Sequence, residues 1–268
     1  MKIGNREFDV KNHTYVMGIL NVTPDSFSDG GRFNRLDDAL FHVEEMLKEG
    51  MDILDIGGES TRPGYTLLPE EEEIQRVVPV IEAVKARFDV PVSLDTYKAK
   101  VARAGIRAGA DLINDIWGLK YEPEMAKLIA ESKAACVLMH NRKEADYRNF
   151  LEEVSADLSE TIALAQKAGI AADKIILDPG VGFGKTYEHN LQIIKSLALL
   201  HQFGYPVLLG ASRKSVIGLT LDLPASERME GTIVTTVFGV LAKCAFVRVH
   251  DIKENVRAIK MAEAILKS

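Results

Sequence analysis

Short apolar segments alternate with longer amphipathic segments along the whole chain. The short ones are rich in β-branched residues and lack period-two alternation, which predicts strands buried on both faces, as in a parallel sheet. These predicted strands are Tyr15–Asn21, Ile53–Gly57, Val92–Asp95, Leu112–Asp115, Ala135–His140, Lys174–Asp178, Val207–Gly210 and Phe246–His250. The longer segments predict helices at Leu36–Glu49, Glu70–Phe88, Lys98–Ala108, Pro123–Ser132, Asn149–Ala168, His189–His201, Ser226–Lys243 and Ile252–Lys267.

Strict alternation of these strands and helices predicts an α/β fold, a single (β/α)8 TIM barrel. The alternative is an open, doubly wound sheet, which usually carries a glycine-rich turn after its first strand. Here the first strand leads into the glycine-free segment 21–24. No linker or shift in composition divides the chain, so we expect residues 1–268 to form one domain. Residues 1–12 predict a short N-terminal hairpin, with Gly4 and Asn5 in its turn, that closes the bottom of the barrel.

Composition and charge argue against nucleic acid and a membrane as partners. The chain is 47% hydrophobic and 27% charged with a formal net charge of −6, which is typical of an ordinary globular protein. Lys and Arg are not clustered, which argues against nucleic acid, and no apolar run reaches the ~20 residues of a membrane span. Cys136 and Cys244 lie within apolar segments and predict buried thiols in a reducing compartment. Without a signal segment, we expect a cytoplasmic protein.

Polar residues collect where the predicted strands end, which is the face that carries the active site in this fold. Each has an ordinary structural explanation when taken alone. Asp115 can cap the next turn, His140 can be a satisfied core histidine, and Asp55 can pair with a lysine of a neighbouring strand. Together they predict a functional site. The set comprises Asn21, Asp55, Asp95, Asn114, Asp115, His140, Asp178, Ser212, Arg248 and His250.

Three connecting segments carry the chemistry around this face. Two long loops, residues 23–31 and 57–69, are rich in Gly, Ser, Thr, Asp and Pro, which is typical of lids or binding loops. The third, Asp178–Thr186, ends in Gly-Lys-Thr but fails both the phosphate-loop and the dinucleotide spacing. It predicts instead a tight turn that presents Asp178 and the backbone of Gly182 to a flat ligand, with Phe183 as a stacking wall.

The segment after the seventh predicted strand indicates an anion site. Lys214 and Ser215 stand where such barrels often bind phosphate at the start of a short helix, which we expect Ser212 to cap and which we expect to end near residue 219. Arg248 and His250 complete the corner. The alternative is a Schiff-base lysine at position 214. That role needs apolar desolvation, whereas the neighbours Arg213 and Ser215 predict a polar loop.

Eight segments resemble the dihydropteroate synthase family of folate biosynthesis. They run in order through nearly the whole chain, and the two longest are MGILNVTPDSFSDGG at 17–31 and DIGGESTRPG at 55–64. The others are SLDT at 93–96, IND at 113–115, LMH at 138–140, DPGVGFGK at 178–185, GASRKS at 210–215 and RVHD at 248–251. The family is known as a (β/α)8 barrel, in agreement with the strand pattern.

The resemblance implies a transferase that joins para-aminobenzoate to 6-hydroxymethyl-7,8-dihydropterin diphosphate, with SN1-like loss of diphosphate and with Mg²⁺ as cofactor. It implies a pterin pocket formed by Asp95, Asn114, Ile116, Met139, Asp178, Gly182, Phe183, Lys214 and Arg248. The catalytic residues it implies are Asp95, Lys214, Arg248 and His250. Asn21, Arg248 and His250 would bind the diphosphate, with Asn21 as the protein ligand of the metal.

For the second substrate, the resemblance implies binding by Phe27, Thr61, Arg62, Pro63, Phe183, Lys214 and Ser215. The start of the short helix at Ser215 suits the benzoate carboxylate. Asp25, Asp29 and Arg62 are implied in closure of the two long loops. Sulfonamides imitate this substrate in the family, and Gly64 follows Pro63 without the insertion of resistant relatives, so we expect a sulfonamide-sensitive enzyme.

Two alternatives and one assembly prediction accompany this resemblance. Some relatives keep the pterin pocket but serve methyl transfer to a corrinoid protein, and a non-catalytic pterin-binding paralogue is the other alternative. The helix at 231–243 is apolar on most sides, which favours a homodimer over a helix covered within the monomer.

Overall fold

The computed structural model describes residues 1–22, 32–59 and 67–268, and the side chains of these apart from 32–35. Two short strands open the chain, β1 (Lys2–Ile3) and β2 (Arg6–Glu7). Eight further strands follow: β3 (Tyr15–Asn21), β4 (Ile53–Gly57), β5 (Val92–Asp95), β6 (Leu112–Asp115), β7 (Ala135–Met139), β8 (Ile175–Asp178), β9 (Leu208–Leu209) and β10 (Phe246–Val249).

Helices alternate with these strands. The α-helices are α1 (Arg32–Glu49), α2 (Glu70–Arg87), α3 (Ala99–Ala108), α4 (Pro123–Ser132), α5 (Phe150–Ala168), α6 (Tyr187–Lys195), α7 (Ser215–Leu221), α8 (Met229–Leu241) and α9 (Ile252–Leu266). Short 3-10 helices lie at Ala172–Lys174, Leu197–Phe203 and Ala225–Glu227. The two predicted helices 189–201 and 226–243 are therefore each broken into an α-helix and a 3-10 helix. None of the helices in the described ranges is long and apolar enough to cross a membrane.

Strands β3 to β10 form one parallel sheet in the order β8-β7-β6-β5-β4-β3-β10-β9. A parallel bridge between Leu177 and Val207 joins the two outer strands, and the Leu177 amide donates to the Pro206 carbonyl at 2.9 Å. The sheet thus curls back on itself, and the prediction of a (β/α)8 barrel over an open sheet is confirmed.

The N-terminal hairpin covers the end of the barrel where the strands begin. Its strands pair antiparallel, with Lys2 opposite Glu7 and Ile3 opposite Arg6. Ile3 and Phe8 are buried against residues from the start of the barrel strands, among them Phe246. The predicted hairpin at the barrel bottom is confirmed, and it leaves the opposite end as the open face.

The two cysteines contribute to the core and to no chemistry. Cys136 on β7 and Cys244 before β10 are buried free thiols, as predicted. Burial raises the pKa of the Cys244 thiol to about 12 and that of Cys136 further, so both stay protonated and inert.

Candidate active site

An arginine held between two aspartates lies at the centre of the open face. Arg248 of β10 donates from Nε to Asp55 Oδ2 at 2.6 Å and from Nη2 to Asp95 Oδ2 at 2.7 Å. Asp55 is fully buried and also accepts the Ser93 hydroxyl at 2.5 Å. The expected lysine partner of Asp55 is therefore wrong, because the arginine of β10 reaches across the barrel interior to it. A fixed guanidinium at this position orients Asp95 toward the mouth.

Asp95 keeps one carboxylate oxygen without a partner. Among the described residues, its Oδ1 and Trp117 Nε1 are the buried side-chain polar atoms that lack a hydrogen bond. Burial raises the pKa of Asp95 to about 7, and the neighbouring Arg248 opposes that rise. A buried, unsatisfied carboxylate oxygen is costly to a fold and is typical of a ligand-binding position.

Lys214 and Asp178 face each other across Gly210. A Cβ added to Gly210 would lie 3.5 Å from Asp178 Oδ2 and 3.8 Å from Lys214 Nζ. Lys214 donates to the Val181 carbonyl at 2.5 Å, and burial lowers its pKa to about 8. Burial likewise raises the pKa of Asp178, and Lys214 counteracts that effect. The polar loop predicted at Lys214 does not prevent desolvation of this side chain, because Lys214 lies half-buried in the barrel mouth.

The segment after β8 is the predicted tight turn. Gly180 has φ +70° and lies so close to β7 that a Cβ there would be 1.9 Å from the His140 carbonyl oxygen. Only glycine fits this combination of positive φ and close approach. The turn directs the ring of Phe183 toward Lys214, whose Nζ lies 4.7 Å from the ring centroid. The turn thus brings Asp178, Phe183 and Lys214 together.

An apolar wall borders this polar group. Ile116 and Met139, both predicted pocket residues, are buried in one cluster with Tyr97, and Phe183 and Trp117 pack against it half-buried. Sequence reasoning missed Tyr97 and Trp117. Trp117 directly follows Ile116 beyond the end of β6, so its position at a strand end was the available signal. One polar edge and one flat apolar wall suit an aromatic heterocycle.

Of three further polar residues at the strand ends, Asn114 lies at the site, whereas Asp115 and His140 have structural partners. Asn114 is buried at the end of β6, opposite Asp95 in the strand register. Its neighbour Asp115 points away and accepts the amides of Trp117 at 2.9 Å and Leu119 at 2.7 Å, so it caps the following turn. His140 is bonded to Asp157 and Lys185. The structural explanations of Asp115 and His140 are therefore confirmed.

Of the residues near the predicted anion corner, the structure joins Ser212 to His250. The Ser212 hydroxyl lies 3.0 Å from His250 Nδ1 and accepts the His250 amide at 3.2 Å. Ser212 does not cap α7, because that helix begins after Lys214 without a side-chain cap, and it ends at Leu221, two residues later than expected. Ser215 is exposed as the first residue of α7.

Asn21 is exposed at the mouth end of β3. A Cβ added to Gly57 of the neighbouring strand would lie 3.6 Å from its Oδ1 and 3.7 Å from Asp95 Cβ, so Asn21 borders the pterin-pocket candidates. The other predicted residues of the two long loops lie outside the described residues. They are Asp25, Phe27, Asp29, Thr61, Arg62 and Pro63.

A buried ion cluster beside the second long loop was not predicted. Lys98, 5% exposed, donates to Glu73 at 2.7 Å and lies 3.2 Å from Glu59 Oε2. Glu59 accepts the Leu68 amide at 2.6 Å and the Tyr97 hydroxyl at 2.8 Å. The cluster ties residues that flank segment 60–66 to the base of the pocket wall. Nothing in the local pattern pairs residues so far apart in the chain.

Fold and geometry together define a (β/α)8-barrel enzyme with a polar, partly apolar-walled pocket at the carboxyl ends of its strands. The sequence model of the family described as pterin binding enzyme matches residues 17–250. The chain is 58% identical over 268 residues to the dihydropteroate synthase of Clostridium beijerinckii, a match that covers 100% of both chains. The chain therefore belongs to the pterin-binding enzymes and, within them, to the dihydropteroate synthase family.

Two solved structures are similar along their whole length. The dihydropteroate synthase from Clostridium difficile in the presence of pteroic acid has a TM-score of 0.95 at 47% identity, covering 98% of this chain and 100% of the other. The Yersinia pestis dihydropteroate synthase in complex with a sulfonamide drug has a TM-score of 0.93 at 42% identity, covering 100% and 99%.

Proposed function

We propose that this chain condenses 6-hydroxymethyl-7,8-dihydropterin diphosphate with para-aminobenzoate to give 7,8-dihydropteroate and diphosphate. Membership of the dihydropteroate synthase family supports the reaction as a whole. The observation that carries the placement of the pterin is the buried, unpartnered Asp95 Oδ1 at the barrel mouth, which Asp95 shares with Lys214 and Asp178.

A dihydropterin presents ring N–H groups and an exocyclic amine along one edge. Asp95 and Asp178 are the acceptors for these donors, and Asn114 both donates and accepts. Lys214 donates to the acceptor side of the ring. To do so, it gives up its hydrogen bond to the Val181 carbonyl. Ile116, Met139 and Phe183 flank the ring faces. The pocket thus matches the alternating donors and acceptors of the substrate edge.

The chemical step is the departure of diphosphate from the pterin methylene carbon. The C–O bond breaks ahead of attack, and the cation that remains is stabilised by the pterin ring. Asp95, Asp178 and the surrounding carbonyls stabilise that positive charge, while Arg248 and His250 bind the departing oxyanion. The arylamine nitrogen of para-aminobenzoate then attacks through its lone pair and loses a proton to water. No strong general base is required, because a neutral arylamine is already nucleophilic.

Asn21 fits the proposed magnesium ion. Mg²⁺ prefers oxygen ligands, keeps several waters and is often held by few protein groups together with substrate phosphates. Asn21 presents an exposed amide oxygen at the mouth, and no group of three acidic, His or Cys side chains suited to a metal occurs in the described part of the chain. This donor set suits a metal that arrives with the diphosphate. When bound, the ion neutralises charge on the leaving group.

We place para-aminobenzoate between the ring of Phe183, the Lys214 stem and the exposed Ser215 hydroxyl, together with the loop residues predicted from the sequence. Sulfonamides are then competitive inhibitors, in line with the drug complex of the Yersinia pestis relative. Steady-state inhibition by a sulfonamide, relieved by excess para-aminobenzoate, is the expected result. Unchanged catalysis under excess sulfonamide would contradict this placement.

Turnover of the two substrates with Mg²⁺ tests the proposal. We expect the wild-type chain to release diphosphate and form dihydropteroate, and Asp95→Asn and Lys214→Ala to lose at least about 100-fold in kcat/KM. A paralogue that only binds pterins would bind the first substrate and turn nothing over, and a methyltransferase relative would likewise form no dihydropteroate. Retained activity in both variants would remove the pterin placement while leaving the reaction intact.

We further propose a cytoplasmic homodimer built on α8. Val234, Phe238 and Leu241 are 45–56% exposed along this helix. Such large apolar side chains on one helix favour burial against a second copy. Sedimentation at micromolar concentration should give a dimer, and Phe238→Glu with Val234→Glu a monomer. A monomeric wild-type chain would contradict it.

A further inference from the structure

Lys185 is a half-buried lysine for which the proposed reaction has no use. Its Nζ donates to the Phe183 carbonyl at 3.0 Å and lies 2.8 Å from His140 Nδ1. His140 Nε2 lies 3.0 Å from Asp157 Oδ2, which also accepts Arg142 Nε at 2.6 Å. A chain of contacts therefore runs from α5 through the end of β7 to the turn after β8.

The partners of His140 determine its protonation. A lysine ammonium only donates, so Nδ1 accepts, and the Asp157 carboxylate only accepts, so Nε2 carries the hydrogen. A single neutral tautomer satisfies both contacts. Burial lowers the pKa of His140 to about 4, which keeps this tautomer at neutral pH. Lys185 Nζ therefore has two fixed acceptors, His140 Nδ1 and the Phe183 carbonyl.

Two groups of the pterin pocket depend on where Lys185 stands. The first is Phe183, whose own carbonyl Lys185 binds. The second is Asp178, because Gly180 donates its amide to Asp178 Oδ1 at 2.6 Å and a Cβ on Gly180 would lie 3.2 Å from Lys185 Nζ. The ammonium therefore lies against the peptide that binds the Asp178 carboxylate. Lys185 supplies positive charge behind Asp178 while Lys214 supplies it from the pocket side.

We propose that Lys185, held by the His140–Asp157 pair, is a positioning residue of the pterin subsite. It fixes the turn that carries Phe183 and keeps Asp178 ionised, so that Asp178 accepts hydrogen bonds from the pterin edge. It touches neither substrate. The inference rests on the pterin placement proposed above, and it assigns a role to a lysine, a histidine and an aspartate that the reaction itself does not require.

Five charged or titratable side chains surround Lys185. Asp178 and Asp157 favour its charge, while burial, Lys214 and Arg142 oppose it, and together they lower its pKa to about 7. His140 is the fifth neighbour and stays neutral. The acid side of the pH profile lies below this pKa, where Lys185 carries its charge. In that pH range the charge of Lys185 disfavours protonation of Asp178.

Steady-state kinetics of Lys185→Met tests the proposal. Methionine keeps the length of the side chain but removes the donor and the charge. We expect KM for the dihydropterin diphosphate to rise about tenfold to a hundredfold, as for the loss of a charged hydrogen bond. KM for para-aminobenzoate, which shares Phe183 with the pterin but does not contact Asp178, should rise several-fold less. The matched control is Lys174→Met, which removes a lysine–carbonyl bond (2.9 Å to Lys2) at the other end of β8. It should leave both constants unchanged.

The pH profile separates positioning from mere stability. In Lys185→Met the part of the acid limb of kcat/KM that belongs to Asp178 should move to higher pH by about one unit, because the charge that favours the Asp178 carboxylate is gone. The part that belongs to Asp95, whose pKa is about 7, should stay in place. Lys185→Arg keeps the charge and should keep the limb within about 0.3 units. A structural loss alone lowers the fraction of active enzyme and moves neither limb nor the ratio of the two KM values.

A double-mutant cycle tests the role of His140. His140→Leu should raise the same KM, and combining it with Lys185→Met should add less than about twofold, since both remove one linked unit. If Lys185→Met gives too little folded protein, the comparison of Lys185→Arg with Lys185→Gln provides the same measurement of charge. An unshifted acid limb, equal rises in both KM values, or full additivity would overturn the proposal. Failure of wild-type turnover would instead overturn the reaction.

Discussion

The two ends of the barrel use the same eight strands for opposite purposes. At the bottom, the hairpin inserts Ile3 and Phe8 against Phe246 in a cluster of buried apolar side chains. At the mouth, the same strands end in Arg248, Asp95 and other charged groups, one of which leaves a buried oxygen without a partner. Apolar burial stabilises the bottom, whereas the partly buried charges at the mouth cost free energy and suit the binding of a polar ligand.

The largest expected effect on turnover and stability comes from replacing Arg248 at the centre of the mouth. Arg248→Met leaves Asp55 and Asp95 buried without their counter-ion and removes the cation that receives the diphosphate. We expect kcat/KM to fall by at least about 10³-fold and the free energy of unfolding by about 3–5 kcal/mol. Steady-state turnover and urea unfolding measure the two. A variant with near wild-type turnover would refute the central role of this arginine.

Breaking the bottom should cost stability and spare catalysis. Phe8 is 2% exposed and makes edge-to-face contacts with Tyr15 and Phe246 at centroid distances of 4.8 and 5.6 Å. Phe8→Ala should lower the free energy of unfolding by about 3–5 kcal/mol. Both KM values of the remaining folded enzyme should match wild type at 20 °C. A selective rise in one KM would show that the two ends are coupled.

The pH dependence of stability should reside in the mouth half of the barrel. His140 is 2% exposed, and burial lowers its pKa from 6.5 to about 4. The unfolded chain binds this proton below pH 6.5 while the folded chain does not, so the contribution is complete above pH 6.5 and is lost as pH falls through 4. The expected loss is about 3 kcal/mol.

Urea unfolding of wild type and His140→Gln between pH 7 and 4 measures that loss. Glutamine does not titrate, and its amide both accepts and donates, so the slope assigned to His140 should disappear. His13 lies at the bottom and is partly exposed beside Glu263, and His13→Gln is the control that should keep the slope. Equal slopes in wild type and His140→Gln would show that the stability change arises elsewhere.

The smallest expected effect concerns the second unpartnered atom of the mouth. Trp117→Phe removes the unbonded Nε1 donor and keeps most of the aromatic wall. We expect the free energy of unfolding to change by less than about 1 kcal/mol, since no hydrogen bond is lost. The KM for the pterin substrate should stay within about twofold. A larger rise would show that this N–H binds the substrate.

Strand order, the hairpin and the glycine-rich turn after β8 followed from local patterns. Runs of buried residues alternating with amphipathic ones identify the strands, and a strand end in this fold identifies the mouth. The position of Asp95, Asp178 and Arg248 at one face was therefore predictable. The segment at 178–186 indicated the turn because it lies between a predicted strand and a predicted helix and matches neither the phosphate-loop nor the dinucleotide spacing.

The choice of partners at the mouth was not predictable in the same way. Asp95 and Asp115 end neighbouring strands, yet one is bonded to Arg248 and keeps a free oxygen while the other is satisfied by the amides of its own turn. Ser212 looked like a helix cap and instead binds His250. Local pattern cannot distinguish these outcomes, because whether Asp95 and Ser212 find their partners depends on residues that other strands bring near.

Periodicity and short contiguous motifs were enough to predict the barrel, the end at which its polar residues gather and the family to which the chain belongs. The folded barrel was needed to show that Lys214 is partly desolvated, that Lys185 is held by His140, and that Arg248 reaches Asp55 across 193 residues of chain. The physical reason is distance. Desolvation and ion pairing depend on separations in space between residues far apart in the chain, and closure of the barrel sets those separations.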